Sequence, residues 1–236
     1  MNRTPMLHIF IGYDQVESVA YHTLCHSIME RSSVPIAIHP VKQSMFRDVY
    51  TRSRDSKQSN EFSFTRFLVP YLMSYSGWAL FMDSDMLLRA DINELFELKE
   101  YDKAVQVVQH DYTPSTATKF LGATQYRYPR KNWSSVMLFN CSNFHCRRLT
   151  PEYINTASAL DLHRFQWTDD DHIGSLSPDW NWLVGEYSYN SFAKIAHYTI
   201  GGPWFDEYRL TDYADEWFDM RASMMHSMQR NIEQTG

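Results

Sequence analysis

At 236 residues the chain is long enough for one well-packed α/β domain. Hydrophobic residues at 44% and aromatics at 15% exclude a disordered chain. A formal charge of -6 argues against a nucleic-acid surface, and no apolar stretch is long enough for a membrane span.

Cys25, Cys141 and Cys146 show neither metal-ligand nor disulfide spacing, which fits a reducing, cytoplasmic setting. Residues 1–5 are polar and run straight into a strand, unlike a signal peptide. Asn2, Asn132 and Asn140 begin Asn-x-Ser/Thr triplets, which without a secretory signal are expected to stay unmodified.

Residues 7–12 form a short apolar strand that ends at Gly12, and Tyr13, Asp14 and Gln15 turn the chain. Val19, Ala20, Leu24 and Ile28 recur at helical spacing over 17–31, and a second strand spans 36–40. This opening unit predicts parallel pairing through a right-handed crossover. Asp14 has two equal readings, a contact to a base or ribose hydroxyl and a cap on the helix start. Residues 44–60 read as an exposed polar loop with solvated charges. Residues 61–72 read as a largely apolar helix, in which Arg66 stands out. A buried guanidinium needs an anionic partner, and Asp83, Asp85 or a bound phosphate would serve.

The chain is organised around 78–88, Trp-Ala-Leu-Phe-Met-Asp-Ser-Asp-Met-Leu-Leu. An apolar run bounded by Gly77 reads as a buried strand ending in two carboxylates one residue apart. Ligands of α/β sheets bind beyond the carboxyl ends of such strands. Two carboxylates entering an apolar interior repel each other and lose hydration, and a hard divalent cation such as Mg2+ or Mn2+ is the simplest compensation. The alternative is that one Asp caps a helix and the other is solvated.

Leu87 and Leu88 read as a short strand, Asp91 as the cap of the next helix, and 104–109 as another strand. His110, Asp111 and Tyr112 at its end suit a pocket wall or a plain turn. Residues 119–133 mix Lys119, Arg127, Arg130 and Lys131 with Tyr126, Tyr128 and Trp133, and fit a sugar-facing or phosphate-facing loop. Residues 135–140 are the next buried strand. Thr150 before Pro151 marks a helix start. Asp169, Asp170 and Asp171 are adjacent and need a hydroxyl, a cation or a hydrogen-bond partner; an exposed acidic helix start is the alternative.

Residues 178–183 are aromatic-rich and shape a pocket floor or the core. A last strand over 193–198 is followed by His197 to Trp204, where Gly201-Gly202-Pro203 predicts a tight turn with backbone N–H groups open to an anion. His197 can complete a metal site begun by Asp83 and Asp85. Residues 213–229 carry Trp217, Met220, Met224 and Met228 near helical spacing and predict an amphipathic helix docked on the domain.

The segments 9–14, 64–70, 81–85 and 197–204 together resemble the family-8 nucleotide-sugar glycosyltransferases of the A-type fold. The resemblance implies one Rossmann-like α/β catalytic domain over 1–236, with a mixed, mostly parallel sheet flanked by helices and 206–236 as a helical tail packed on it. It implies transfer of a sugar from a nucleotide-diphosphate sugar, UDP first, to a carbohydrate or other hydroxyl acceptor, with retention of configuration. Asp83, Asp85 and His197 would bind Mn2+ or Mg2+. Gly12, Tyr13 and Asp14 would meet the nucleotide, Arg66 the donor and the acidic pair, and the Gly201 backbone the phosphate, with Ser84 and Gly202 also among the donor-binding residues. Asp169 would contact the donor sugar. Asp170, where family members often carry glutamine, would lie under the reacting carbon.

Two departures bear on this reading. The family's lysine before Pro-Trp is Gly202 here, so that phosphate contact is missing or comes from Lys119 or Lys131. The family's Asn-Ala-Gly is Trp133-Ser134-Ser135, which leaves the sugar open. Two rival readings remain. One is a nucleotide- or carbohydrate-binding protein that has lost catalysis. The other is a nucleotidylyltransferase, which should carry a glycine-rich basic loop where Tyr13-Asp14-Gln15-Val16 stands.

Overall fold

The computed structural model describes residues 6–53, 58, 60–116, 118, 120–122 and 129–226. Strand β1 (Leu7–Gly12), helix α1 (Ser18–Arg31) and strand β2 (Ile36–Val41) form the expected unit, with β1 and β2 parallel. Pro40 sits in β2 at the sheet edge, where its missing N–H breaks no ladder. Helix α2 (Val69–Leu72), strands β3 (Trp78–Met82) and β4 (Met86–Leu88), helix α3 (Ile92–Phe96) and strand β5 (Val105–Val107) follow. Then come strand β6 (Val136–Asn140), helices α4 (Pro151–Thr156) and α5 (Ala159–His163), strands β7 (Ile173–Ser175), β8 (Trp182–Leu183) and β9 (Ile195–His197), and helix α6 (Ala214–His226).

Among the described residues the main sheet has six strands in the order β2-β1-β3-β6-β5-β7, with β6 antiparallel to both its neighbours and the other five strands sharing one direction. Alternate side chains go to opposite faces. Phe10, Phe81, Met137 and Phe139 pack with Phe67, Phe165 and Trp167, whereas Ile9, Ile11, Leu80 and Leu138 pack with Leu24 and Ile28 of α1. Both faces are therefore covered, which is why β3 is apolar throughout. Strands β4, β9 and β8 form a second sheet, three strands wide.

Two anticipated helix starts appear as read. The Asp91 side chain accepts from the Asn93 N–H, and that of Thr150 accepts from the Tyr153 N–H with Pro151 opening α4. The helix expected over 61–72 is instead a turn, a 3-10 segment Thr65–Leu68, and then the single turn of α2. Pro70 has no N–H to donate to the Arg66 carbonyl, so a continuous helix cannot form. The loop after β2 also differs from expectation at Arg52. Its guanidinium lies 3.9 Å from the centre of the Phe64 ring and donates to the Ile154 and Ala157 carbonyls, because those carbonyls end α4 beside it.

Helix α6 docks through buried Trp217, which packs with Leu87, Ala196 and Tyr198, and through an Arg89–Glu216 ion pair of 2.8 Å. Arg54, Lys57, Lys119, Tyr126, Arg127, Tyr128 and Met228 lie outside the described residues, as does the tail beyond His226. Among the described residues the three cysteines are free, and no helix is long and apolar enough to cross a membrane.

Candidate metal centre and active site

The Asp83-Ser84-Asp85 turn joins the two sheets. It is pinned on one side by the Asp83 N–H donating to the Ser135 carbonyl, just before β6. On the other side the Tyr198 N–H, just after β9, donates to the Asp85 carbonyl. Met86 pairs with His197 across β4 and β9, so the histidine arrives beside the second carboxylate. One ligand atom from each of Asp83, Asp85 and His197 lies within 4.8 Å of the others. Asp83 is 8% exposed and His197 2%. The Ser84 hydroxyl is fully buried with no hydrogen-bond partner among the described residues.

Arg66 answers the charge of this pocket. Its guanidinium lies 2.8 Å from Asp83 Oδ1, donates to the Ser134 carbonyl at 2.9 Å, and is flanked by the Phe62 and Phe81 rings at 5.2 and 5.1 Å. One guanidinium offsets one of the two carboxylates. The other, Asp85, lies 3.4 Å from His197 Nε2.

The state of His197 follows from its second nitrogen. Nδ1 is 2.8 Å from Asn181 Oδ1, and the Asn181 amide nitrogen donates to the Asn132 carbonyl, which fixes the amide's orientation. Nδ1 therefore carries the proton in the neutral ring, and the Nε2 lone pair faces Asp85. With the ring in that form a lone pair and a carboxylate are directed at one point, an arrangement that a divalent cation would satisfy. Two carboxylates and an imidazole nitrogen are a fitting donor set for Mn2+ or Mg2+.

Asn181 is the residue that sequence reasoning passed over. Its signal was an amide between two tryptophans in the aromatic run 178–183, because a buried amide must be hydrogen-bonded. Trp180 itself belongs to the core. The left-handed Asn132 extends the network, donating to Tyr112 Oη at 2.7 Å and Thr199 Oγ1 at 3.2 Å. His110 is buried beside it, 2.9 Å from Tyr187 Oη, and burial followed by the charge of nearby His197 pushes its pKa down to about 3. His110 and Tyr112 thus pack beside the network of Asn132 and Asn181, while Asp111 is exposed. Lys131 is buried and lies 6.0 Å from the Tyr112 ring centre.

Asp14 is buried and caps the turn Gln15–Glu17, one oxygen accepting from the Val16 N–H and the other from the Glu61 N–H. Tyr13 packs edge-on against Tyr21, with Lys42 5.0 Å from its ring centre. A Cβ on Gly12 would strike the Phe62 ring. At Gly201 (φ +158°) it would meet the Tyr208 ring and at Gly202 the Trp204 ring, so this turn admits no side chain without repacking.

Asp169 and Asp170 have a different setting. Asp170 pairs with Arg130 at 2.6 Å, and its side chain is 78% exposed. Both carboxylates line a hollow of about 450 Å³ with Pro129, Arg130, Arg164, Phe165, Gln166 and Thr168. Asp83, Asp85 and His197 are not in that lining. The 129–135 segment connects the two places, since Arg130 holds Asp170 and Asn132 holds Asn181.

The fold is shared with solved glycosyltransferases. WbbM, a bifunctional glycosyltransferase in its apo form, superposes with a TM-score of 0.68 at 15% identity over 100% of this chain, which spans 53% of that chain. The galactosyltransferase LgtC, solved with donor and acceptor sugar analogs, gives 0.59 at 10% identity over 92% of this chain and 96% of that one. GlyE of Streptococcus pneumoniae TIGR4 gives 0.62 at 12% identity, covering 97% of this chain and 64% of that one. The fold is thus the A-type glycosyltransferase fold. The chain belongs to glycosyl transferase family 8, whose family model matches residues 2–207. Among its relatives is Protein CDI of Arabidopsis thaliana, 48% identical over 218 residues, covering 89% of this chain and 84% of that protein.

Proposed function

We propose that this glycosyltransferase moves a sugar from a nucleotide-diphosphate sugar, a UDP-sugar first, to an acceptor hydroxyl. The reaction depends on Mn2+ or Mg2+, proceeds with retention of configuration, and takes place in the cytoplasm as the work of one catalytic domain. The observation that carries the proposal is the buried Asp83, Asp85 and His197 cluster, with the lone pair of His197 turned toward Asp85 by Asn181. Bound there, a hard divalent ion would neutralise the leaving diphosphate.

The chain's own groups divide the remaining tasks. Arg66 holds Asp83 in place and keeps one positive charge beside the acidic pair. Lys131, buried near Tyr112, supplies the phosphate contact that Gly202 cannot. Ser84 and the backbone of Gly201 and Gly202 complete the phosphate cradle, while Gly12, Tyr13 and Asp14 meet the nucleotide. Asp169 contacts the donor sugar. Asp170, positioned by Arg130, stabilises the positive charge that develops at the anomeric carbon as its bond to the diphosphate oxygen breaks; the acceptor oxygen then bonds to that carbon and its proton passes to the released diphosphate. The three free cysteines support a reducing compartment.

Thermal unfolding with and without Mn2+, across a panel of nucleotides and nucleotide sugars, tests the reading. A ligand bound to the native state alone stabilises it by about 2.7 kcal/mol at a hundredfold excess over its Kd. One nucleotide sugar should raise the midpoint with Mn2+ and leave it unchanged without, and Asp85→Ala should abolish the shift. A panel in which nothing moves the midpoint would reject the proposal.

A further inference from the structure

A second cluster of donors shares no residue with the Asp83, Asp85 and His197 group. His145 comes from the turn Phe144–Arg148 that follows β6, and Asp169 with His172 come from the turn that precedes β7. One ligand atom from each of the three lies within 4.8 Å of the others. The two imidazoles overlap, with ring centres 4.0 Å apart and planes 32° from parallel. The Nδ1 atoms of both rings are buried, and neither has a hydrogen-bond partner among the described residues.

The carboxylate is equally uncommitted. Asp169 occupies the N-cap position of its turn, yet its side chain makes no capping bond. Its Oδ2 instead lies 4.0 Å from His145 Nδ1. That separation is too long for a hydrogen bond. It is close to the spacing of two ligands on one ion, since ligand atoms at about 2.1 Å from a tetrahedral Zn2+ stand about 3.4 Å apart. Two imidazoles and one carboxylate form a softer donor set than two carboxylates and one imidazole, and they favour Zn2+ over Mn2+ or Mg2+.

We propose that His145, His172 and Asp169 form a second cation site of Zn2+ type, which clamps the turn after β6 to the turn that carries Asp169 and Asp170. The clamp takes Asp169, the residue proposed above to meet the donor sugar, but its metal uptake is read without donor or acceptor, so its failure is distinguishable from failure of the transfer reading.

Titration of the full chain with Zn2+ by calorimetry, and with Co2+ by visible absorption, tests it. The wild type should take up two equivalents of Zn2+, one at each cluster. His145→Ala and His172→Ala should each lose one equivalent, together with the Co2+ absorption of a site rich in imidazole. Both should keep the Mn2+ response of the buried centre. Asp85→Ala should lose the other equivalent and keep that absorption. Unchanged Zn2+ stoichiometry and Co2+ spectra in both histidine variants would overturn the proposal, as would an Asp85→Ala protein that binds no Zn2+.

Discussion

The chain holds two acidic clusters, and they behave in opposite ways. Asp83 and Asp85 lie at the junction of two sheets, with backbone bonds to Ser135 just before β6 on one side and to Tyr198 just after β9 on the other. Asp169 and Asp170 lie on a short turn with side chains 72% and 78% exposed. The first pair is placed by the fold before any side chain acts, and its charge must be answered inside the protein. The second pair is answered mostly by water, so its contacts to Arg130 and His145 choose a position more than they supply stability. A carboxylate pair in sequence therefore does not say which of these two jobs it performs.

The contrast is sharpest at the two arginines. Arg66→Met leaves Asp83 buried without its ion-pair partner, a change that costs about 3 to 5 kcal/mol. A urea midpoint within error of wild type would show that the buried pair is not held as described. Removing the orienting amide is the next largest effect. Asn181→Ala frees the His197 ring, and loss of such a partner weakens metal binding by about 10- to 100-fold. Mn2+ titration monitored by fluorescence would read this, and wild-type affinity would remove Asn181 from the site.

The buried side of the comparison also sets the response to acid. His110 and His163 are each pushed down to about 3, chiefly by burial, so the folded protein keeps them neutral. The unfolded chain protonates them below the ordinary value of 6.5 and then binds more protons than the folded state. Their contribution to stability is thus complete above 6.5 and is lost as pH falls toward about 3. The loss approaches about 1.4 kcal/mol per pH unit for each group. Replacing His110 by Gln should flatten this slope in denaturation curves collected across that window.

The smallest effect belongs to the exposed cluster. Arg130→Ala removes an ion pair to an exposed carboxylate worth no more than about 1 kcal/mol, together with the bond to the Arg164 carbonyl and the contact with the Trp133 ring. Its transfer rate should nevertheless fall, because Asp170 loses its anchor. Asp170→Asn with full transferase activity would remove the carboxylate from the reaction.

The sequence alone determined what depends on local chemistry. The apolar run of β3 ending in two carboxylates, the caps Asp91 and Thr150, the parallel opening unit and the docking helix α6 all follow from neighbours a few residues apart. It also supplied the three candidate ligands, Asp83, Asp85 and His197, which the fold brings together. Tertiary structure decided the rest. It broke the helix expected over 61–72 at Pro70, and it split β4 and β9 from the main sheet, which is what carries His197 to Asp85. It gave Asn181 its task, closed Arg130 on Asp170, and joined His145 to Asp169 and His172. Each of these joins residues distant in the chain, and the direction of a buried hydrogen bond is fixed only when both of its ends are in place.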